Sequence, residues 1–422
     1  MKIFINIIIS ISCIYSSSLS LNGFGGENIK IDPAAAALGH SILFSGRPNG
    51  VVQSAMSSQY NSPLAKIHIS NNYNQLSILS TTSAGHHISS IGFSFPFRKS
   101  HHISIGLSPK TRTDFSIYQR YFDHSESLSG NTDVDPLAIK HSYDFSGGIS
   151  NLYIGFSSGY FDKIKIGLKW NILFGNLFSD VTTKTYTFDY DGENCVPNSD
   201  GGYANDACIN MNANSSSISN NTSNFNGHSF TIDGRSEFNF HEFAASITVD
   251  APLDITKSIL NNTLSGEDDL ESIDEFSIGK FSCGYKFKKF FGSGVIIEVQ
   301  RNLSAYNPLS NQLFEIKEPH STSLHGGTFK SFENSRIGFW NSLTLRGGFM
   351  LKLINFDDYS VQDNAITIGV GLNFLNTTNE VDISLSSGTR KTENGIYPDE
   401  KYFNVNFGIS SGDTWFKKIR RK

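Results

Sequence analysis

The chain has 422 residues, a formal net charge of −5 and a charged fraction of only 17%. Its aromatic fraction of 13% is too high for a charged disordered chain, and its low content of charged residues is unlike that of a coiled coil or a helical bundle. The slightly acidic balance leaves no footprint for nucleic-acid binding. The composition therefore favours a β protein rich in aromatic and small polar residues.

Residues 1–20 have the features of a secretory signal peptide. Lys2 is followed by an apolar run from Ile3 to Ile14 and then by small residues up to Ser20. This order of a positive start, an apolar core and a small-residue cleavage site predicts export. The run is shorter than the ~20 residues that a membrane-spanning helix needs, and no later stretch suits such a helix. The sequence thus leaves an exported soluble protein or a membrane-spanning β-barrel.

Residues 21–62 differ in composition from the rest of the chain. Pro33 is followed by four alanines, and Leu38 and Gly39 open a stretch in which glycine and proline recur. The segment is too apolar for a linker and too irregular for a pair of strands. Its length suits a plug, or hatch, inside a barrel.

Residues 63–416 carry apolar side chains at every second position. In residues 164–174 this alternation runs for ~11 residues, the length of a membrane-crossing strand. The same pattern recurs in residues 103–107, 281–287, 366–374 and 403–409. The other face is mostly Gly, Ser and Asn, which favours lipid on the apolar face over a soluble sandwich. We therefore predict an all-β fold, a transmembrane antiparallel barrel of about 14 strands, with a bulge near Gly279.

Residues 189–228 are rich in Asn, Ser, Asp and Gly, and they predict a long exposed loop. Within it, Cys195 and Cys208 predict a disulfide in an oxidising compartment, with two free thiols as the alternative. The acidic residues of this loop match a Ca²⁺-binding loop only in part, so we expect no metal site.

Residues 250–274 have apolar residues at roughly helical spacing, which predicts one or two short helices in a second long loop. Two loops on the same side of the membrane require residues 229–249 to form a hairpin around Ser236. Residues 417–422 form a basic C-terminal tail.

Several charged residues fall on the polar face of the predicted strands, where a charge facing lipid would cost ~2–4 kcal/mol. Lys169 and Arg346 are the clearest examples. They predict a cationic lumen that receives an anionic head group of a ligand. The alternative is an ordinary set of ion pairs with the hatch and with Glu298.

Sequence strings that resemble catalytic motifs do not have the required context. Residues 155–159 and 408–412 fit Gly-x-Ser-x-Gly, but both fall on predicted strands and not on a strand–turn–helix. We therefore expect no catalytic residue, no cofactor and no enzymatic activity.

Several short motifs resemble the FadL-like outer-membrane transport superfamily, in particular its Bacteroidetes-type, PorV-like branch. The first is Ala37-Leu38-Gly39-His40-Ser41, followed by Tyr60-Asn61-Ser62-Pro63-Leu64-Ala65. Here His40 replaces a family glycine, and Ser62 is inserted before Pro63. Further matches are residues 105–109, 345–349, 367–374, 381–385 and 415–418.

The resemblance implies a barrel of about fourteen strands with an N-terminal hatch that includes Pro33, Leu38, Gly39, Asn61 and Pro63. It also implies facilitated diffusion of hydrophobic or amphipathic, fatty-acid-like molecules across the outer membrane of a Gram-negative-type bacterium. Expected partners are outer-membrane lipid and a hydrophobic small molecule, and no nucleic acid. The PorV-like branch gives an alternative, a docking barrel for a secretion-system or surface-protein partner.

Overall fold

The fold is taken from a computed structural model of the chain. The structure describes residues 26–27, 32–44, 64–78, 81–98, 101–123, 137–161, 163–188, 209–261, 265–273, 277–289, 292–303, 310–311, 314–315, 320–333, 340–355, 360–374, 379–392 and 399–414. Among these residues, no helix is long and apolar enough to cross a membrane.

Fourteen antiparallel strands form the wall of the protein. They are β1 Leu64–Ile78, β2 Thr81–Arg98, β3 His101–Pro109 with Thr111–Asp123, β4 Leu137–Phe161, β5 Ile164–Phe188, β6 Ile209–Phe238, β7 His241–Asn261, β8 Ser265–Ile273 with Ser277–Lys289, β9 Ser293–Asn302, β10 His320–Glu333, β11 Trp340–Asn355, β12 Ser360–Phe374, β13 Asn379–Thr392 and β14 Glu400–Thr414. Strands β3 and β8 are each interrupted once. A two-residue strand, Gly26–Glu27, pairs with the second part of β3, and Ser310–Asn311 pairs with Phe314–Glu315.

The sheet closes on itself. Each strand pairs with the next along the chain, and β14 pairs with β1 from Thr414 opposite Leu64 to Glu400 opposite Ile78. Closure pairs the first strand with the last, so neither of them is a free edge in the membrane. The predicted all-β barrel of about 14 strands is thus confirmed.

The two faces of the wall have the reverse of the polarity of a soluble protein. In β9, the side chains of Val295, Ile297 and Val299 are exposed on the outer face. Their neighbours Glu298 and Gln300 point inward and are buried. The same alternation places Ile366 and Ile368 of β12 outward, with 72% and 56% of their surface exposed. Only lipid makes such an outer face favourable, because each apolar side chain left in water would cost about 1.5–3 kcal/mol.

The predicted bulge near Gly279 is confirmed. The register between β8 and β7 shifts between Ile278 and Lys280. The extra residue changes the parity of the strand.

The two predicted loops are wrong within the described residues; residues 189–208 lie outside them. Residues 209–228 belong to β6, which pairs along β5 and, from Ser219, also along β7. Ladder hydrogen bonds are made by the backbone, so the Ser- and Asn-rich sequence of β6 does not prevent pairing. Residues 250–261 and 265–273 are strands and not helices. The apolar side chains of Leu253 and Ile255 alternate toward the interior. The hairpin around Ser236 is present, with its turn at residues 239–240.

Several predicted features lie outside the described residues. They are the signal peptide at residues 1–20, the cysteines Cys195 and Cys208, the hatch residues Asn61 and Pro63, and the tail at residues 417–422. The predictions for them stand as made above.

Candidate functional site in the barrel interior

An N-terminal segment (residues 32–44) is buried against the inner face of the wall. It begins with a single helical turn, α1, at Pro33–Ala36. The Asp32 side chain accepts a hydrogen bond from the Ala34 N–H at 3.2 Å, and Pro33 occupies the first turn, where its missing N–H costs nothing. After the turn, Gly39 and His40 both have positive φ, of 69° and 63°. These two residues reverse the chain direction, so that Ser41 to Phe44 follow a different path from α1.

Glycines on the inner face allow the segment to lie directly on the backbone of the wall. We call this set the glycine track; it comprises Gly284, Gly327, Gly348, Gly369 and Gly408. A Cβ on Gly348 would lie 2.4 Å from the Gly39 nitrogen, and one on Gly369 would lie 2.5 Å from the Ala37 Cβ. A side chain at Gly348 or Gly369 would therefore collide with the segment, whereas a Cβ on Gly327 would meet only atoms of Leu38, at 2.9 to 3.0 Å. The close approach therefore depends on glycine at these points of the wall.

Thr367 and His325 hold the turn at Gly39. The Thr367 hydroxyl accepts from the Gly39 N–H and donates to the Ala37 carbonyl, both at 2.9 Å. His325 Nδ1 donates to the Gly39 carbonyl at 2.6 Å, and Ser323 hydrogen-bonds to His325 Nε2 at 2.8 Å. The Gly39 carbonyl can only accept, so it places the proton of the neutral imidazole on Nδ1, and Nε2 then accepts from the Ser323 hydroxyl. The backbone polar groups of the buried turn are thereby satisfied by side chains of the wall.

Glu298 holds the next part of the segment. Its carboxylate accepts hydrogen bonds from the Ser41 hydroxyl at 2.5 Å and from the Ile42 and Leu43 N–H groups, each at 3.1 Å. Gln300 donates to the same carboxylate at 2.9 Å. Glu298 is 1% exposed. Sequence analysis named Glu298 only as one member of a general set of lumen ion pairs, because contacts to backbone N–H groups leave no sequence signal.

Apolar contacts complete the docking of the segment. Leu38, Ile42, Leu43 and Phe44 pack with Ile296 of β9 and with two further wall residues, Ala244 and Phe329. Four segment side chains thus enter one buried cluster with three strands of the wall. Burial of this kind contributes about 1.5–3 kcal/mol per large side chain.

His40 is buried in the same turn. Burial lowers the pKa of His40 from 6.5 to about 4, with Lys352 and Arg390 lowering it further and Asp363 opposing them. The imidazole is therefore neutral at neutral pH.

Arg346, predicted to receive an anionic ligand, is already paired in the structure. Its guanidinium lies 2.7 Å from the Asp382 carboxylate and 3.6 Å from the Glu380 carboxylate. This arrangement favours the alternative of an ordinary lumen ion pair for Arg346. Lys169 points inward as predicted, with its ammonium 4.9 Å from the centre of the Tyr153 ring. A ligand-binding role for either residue remains a prediction.

A mixed cluster of charges lies near the short turns of β5 to β8. Arg235 contacts Glu242 at 2.7 Å, and Lys288 contacts the same carboxylate at 3.0 Å. Lys286 lies 5.8 Å from the ring of Phe44 and 5.5 Å from that of Phe329. The N-terminal segment therefore ends against this cluster.

An apolar luminal patch faces the interior on β4 to β7. It comprises Ile149, Leu173, Leu177, Phe225, Leu253 and Ile255, all buried. These side chains point to the inside of a wall whose inner face is otherwise largely polar. The sequence did not predict the patch, because an apolar residue at a position that points to the lumen looks like an interruption of the alternating pattern.

The wall has a break beside this patch. The ladder between β2 and β3 runs only from Ile91 opposite Leu107 to Arg98 opposite His101. Within the described strands, no ladder joins residues 81–90 of β2 to residues 111–123 of β3. The edge of β3 at Thr111 and Arg112 is instead paired with the two-residue strand Gly26–Glu27.

A kink at Lys110 produces the wall break. Lys110 lies between the two parts of β3, and its ammonium reaches Asp250 of β7 at 3.5 Å, although β7 is not a neighbour of β3 in the wall. The kink therefore points into the interior. On β4, Gly148 has φ of 136°, and a Cβ there would lie 2.4 Å from the Thr111 carbonyl oxygen. The next residue, Ile149, donates its N–H to the Thr111 hydroxyl at 3.1 Å, so the luminal patch begins where the wall is interrupted.

A family model matches this architecture. The BamG model matches residues 16–421, nearly the whole chain. The chain belongs to the BamG family. No curated protein matches this BamG-family chain at a significant level.

Solved structures of similar fold include a toluene transporter and monoaromatic hydrocarbon channels. The Ralstonia pickettii toluene transporter TbuX has a TM-score of 0.50 at 11% identity, covering 93% of this BamG-family chain and 99% of its own. The CymD monoaromatic hydrocarbon channel has a TM-score of 0.55 at 8% identity, covering 91% and 97%. The deltaS2 mutant of the TodX monoaromatic hydrocarbon channel has a TM-score of 0.52 at 10% identity, covering 93% and 100%.

At such low identity the likeness concerns the fold. It confirms the barrel that the sequence resemblance implied. With its apolar outer face, this BamG-family barrel is a protein of the outer membrane of a Gram-negative-type bacterium. The PorV-like branch of the resemblance remains a prediction.

Proposed function

We propose that the protein is an outer-membrane channel for facilitated diffusion of hydrophobic or amphipathic, fatty-acid-like small molecules. The observation that carries the proposal is the luminal patch, which begins at the wall break. The side chains of the patch are buried against one another in the structure, and an apolar ligand that separates them would be favourably transferred from water into their midst. The neighbouring break then offers a route from the interior toward the apolar outer face. Diffusion down a gradient makes and breaks no covalent bond, so no catalytic residue or cofactor is assigned.

In this proposal the N-terminal segment is the hatch. It lies inside the wall, and its contacts with Glu298, His325 and Thr367 are hydrogen bonds that can be exchanged for water or ligand. The strand Gly26–Glu27, which precedes the segment, pairs at the edge of the wall break. Movement of the N-terminal residues would therefore change both the filling of the lumen and the covering of the break.

The shape of the ends supports an orientation for the channel. Only two or three residues separate β2 from β3, β4 from β5, β6 from β7 and β8 from β9, and these strand ends lie on one end of the barrel. On the other end, 13 residues separate β3 from β4 and 20 separate β5 from β6, whereas two separate β1 from β2. Outer-membrane barrels place short turns in the periplasm and long loops outside. Ligand would accordingly enter from the long-loop end.

The test is a flux assay in liposomes with a lock on the hatch. Purified protein is challenged with a fluorescent fatty acid and, separately, with a small sugar. The Cβ of Leu38 lies 3.0 Å from a Cβ placed on Gly327, close to the ~3.5–4.5 Å that a disulfide spans. The double variant Leu38→Cys/Gly327→Cys lacks the Leu38 methyl group nearest to Gly327. Made with Cys195, Cys208 and Cys283 changed to serine, it should carry fatty acid only after reduction. Sugar flux would indicate a general porin.

The docking barrel is the second candidate, and the fixed state of the interior favours it. The hatch is held by buried hydrogen bonds, and Arg346 is paired with Asp382. A docking protein does not need the hatch to move. An absence of flux for either solute, with the protein folded and reduced, would favour docking of a secretion-system or surface-protein partner.

A further inference from the structure

The turn from Ser41 to Phe44 presents three hydrogen-bond donors to one carboxylate. The Ser41 hydroxyl and the Ile42 and Leu43 N–H groups all point to Glu298, at distances of 2.5 to 3.1 Å. The Phe44 N–H donates to the Ser41 oxygen at 3.0 Å, which leaves the Ser41 proton for Glu298. Successive N–H groups converging in this way form an anion-binding concavity.

Glu298 occupies this concavity as a carboxylate. Within the described part of the chain, its four hydrogen-bond partners are the three groups of the turn and Gln300, and all four are donors. Four donors fit the ionised group and leave no acceptor for a carboxylic acid proton. Charge-assisted hydrogen bonds of this kind are about twice as strong as neutral ones. Glu298 is therefore the strongest single polar contact of the hatch.

We propose that the Ser41–Leu43 turn is a carboxylate-binding site, which Glu298 occupies in the closed state and which the carboxylate of an amphipathic ligand takes over when the hatch opens. This inference rests on the proposed channel function and specifies how its ligand opens the hatch. The surrounding side chains suit such a ligand, because Leu38, Leu43 and Phe329 offer an apolar surface to its chain.

The exchange balances in protons and in charge. A ligand that enters the apolar lumen as a neutral carboxylic acid transfers its proton to Glu298. The ligand becomes the carboxylate bound by the three donors, and Glu298 becomes a neutral acid. One buried charge with its hydrogen bonds replaces another, so no additional charge is desolvated. A ligand without an acidic proton, such as an alcohol, has no equivalent exchange.

The test measures exposure of the hatch. Ala36, a buried residue of α1, is replaced by cysteine in a protein with Cys195, Cys208 and Cys283 changed to serine. Labelling by a water-soluble maleimide then reports release of the segment. Decanoate should raise the labelling rate at least about tenfold, the ratio that ~1.4 kcal/mol produces. Decanol, the matched alcohol, should leave the rate unchanged.

Substitution of Glu298 separates this site from general loosening of the barrel. Glu298→Gln should raise the basal labelling rate by at least about tenfold, because an amide NH₂ faces N–H donors, and decanoate should add nothing further. Asp382→Asn is the matched control: Asp382 is another buried inward carboxylate, bonded to Arg346 of the wall. It should label like the parent. If Glu298→Gln does not fold, Ser41→Ala removes one donor and should weaken the response to decanoate.

Equal effects of decanoate and decanol would overturn the proposal, as would a Glu298→Gln protein that labels as slowly as the parent. Flux in liposomes distinguishes the proposed channel function from the proposed carboxylate-binding site. Fatty-acid flux without carboxylate-specific labelling would retain the channel and reject the site. Carboxylate-specific labelling without flux of any solute would retain the site and reject the channel.

Discussion

Replacing Gly348 by alanine should release the N-terminal segment from the wall. A Cβ at this position would lie 2.4 Å from the Gly39 nitrogen, 2.6 Å from the Leu38 carbonyl carbon and 2.7 Å from the Gly326 carbonyl oxygen. All three neighbours are backbone atoms, so no side-chain rotation relieves the contact. Either the segment or the wall must move, and the segment is held by fewer backbone hydrogen bonds than strand β11.

The size of the effect follows from the cost of overpacking. Inserting a methyl group into a filled space costs about 1–3 kcal/mol, which corresponds to about a 5- to 150-fold change in an equilibrium. If this cost falls on the docked segment, the labelling rate of the Ala36→Cys reporter should rise by that factor. Thermal unfolding of the barrel in detergent should change less than the labelling rate, since only the 2.7 Å contact with the Gly326 carbonyl oxygen lies within the wall.

The neighbouring glycine provides the control. Gly347 lies on the same strand, but a Cβ there would meet only the Thr367 carbonyl oxygen, at 3.8 Å. Gly347→Ala should therefore label like the parent and fold at least as well, since alanine orders a strand better than glycine. Equal labelling of the two alanine variants, with both barrels folded, would refute the role of the glycine track. So would a loss of barrel stability in Gly348→Ala without any release of the segment.

Three further predictions follow from the interior. Arg346→Gln should lower the free energy of unfolding by about 3–5 kcal/mol, because it leaves the buried Asp382 carboxylate without its cation. Reduced uptake of ligand with an unchanged free energy of unfolding would instead support the ligand-binding role of Arg346. Burial holds the pKa of His40 near 4, below its usual 6.5, so its released form binds the proton more readily. The docked state is then unaffected above pH 6.5 and loses stability as pH falls from 6.5 to about 4, by about 1.4 kcal/mol per pH unit. The maleimide reacts with the thiolate, whose share also falls with pH, so the labelling rate is divided by that of the same protein carrying His40→Asn, a residue that tolerates positive φ. This ratio should rise as pH falls over the window, and a constant ratio would contradict the role of His40. Gly148→Ala should reduce fatty-acid flux, since its Cβ would meet the Thr111 carbonyl oxygen at 2.4 Å and force the kink to rearrange; flux equal to that of the parent would show that the wall break is not on the route.

The barrel was predictable because lipid makes its outer face apolar. In residues 164–174 the alternation follows from the period of two in a strand, and the structure exposes Ile164, Ile166 and Leu168 as expected. The bulge at Gly279 was also visible, as a change of parity. Both features follow from strand geometry and from lipid on the outer face, which together produce an alternation that is visible in the local sequence.

The interior was less predictable because its partners are remote in sequence. Glu298 binds Ser41 across 257 positions, and Leu253 meets Phe225 and Leu173 from other strands. The inward apolar residues of β7 fell at a spacing that also fits a helix, which produced the wrong prediction for residues 250–274. Arg346 was placed correctly on the inner face, but its pairing with Asp382 depends on the register between neighbouring strands.

The seam between the first and last strands sets the order in which the molecule can be completed. β1 begins at Leu64, and its partner on the closing side, β14, ends at Thr414. Ring closure must therefore wait for nearly the whole chain. The interior face of Gly369 and Gly408, on which Ala37 and Pro33 lie, also belongs to the last strands. The residues translated first therefore gain their final neighbours last. Contacts of such large sequence separation form slowly, and an unclosed seam exposes two strand edges that invite pairing with other chains. Closure of the ring and docking of the N-terminal segment on the last strands are thus coupled late events in biogenesis.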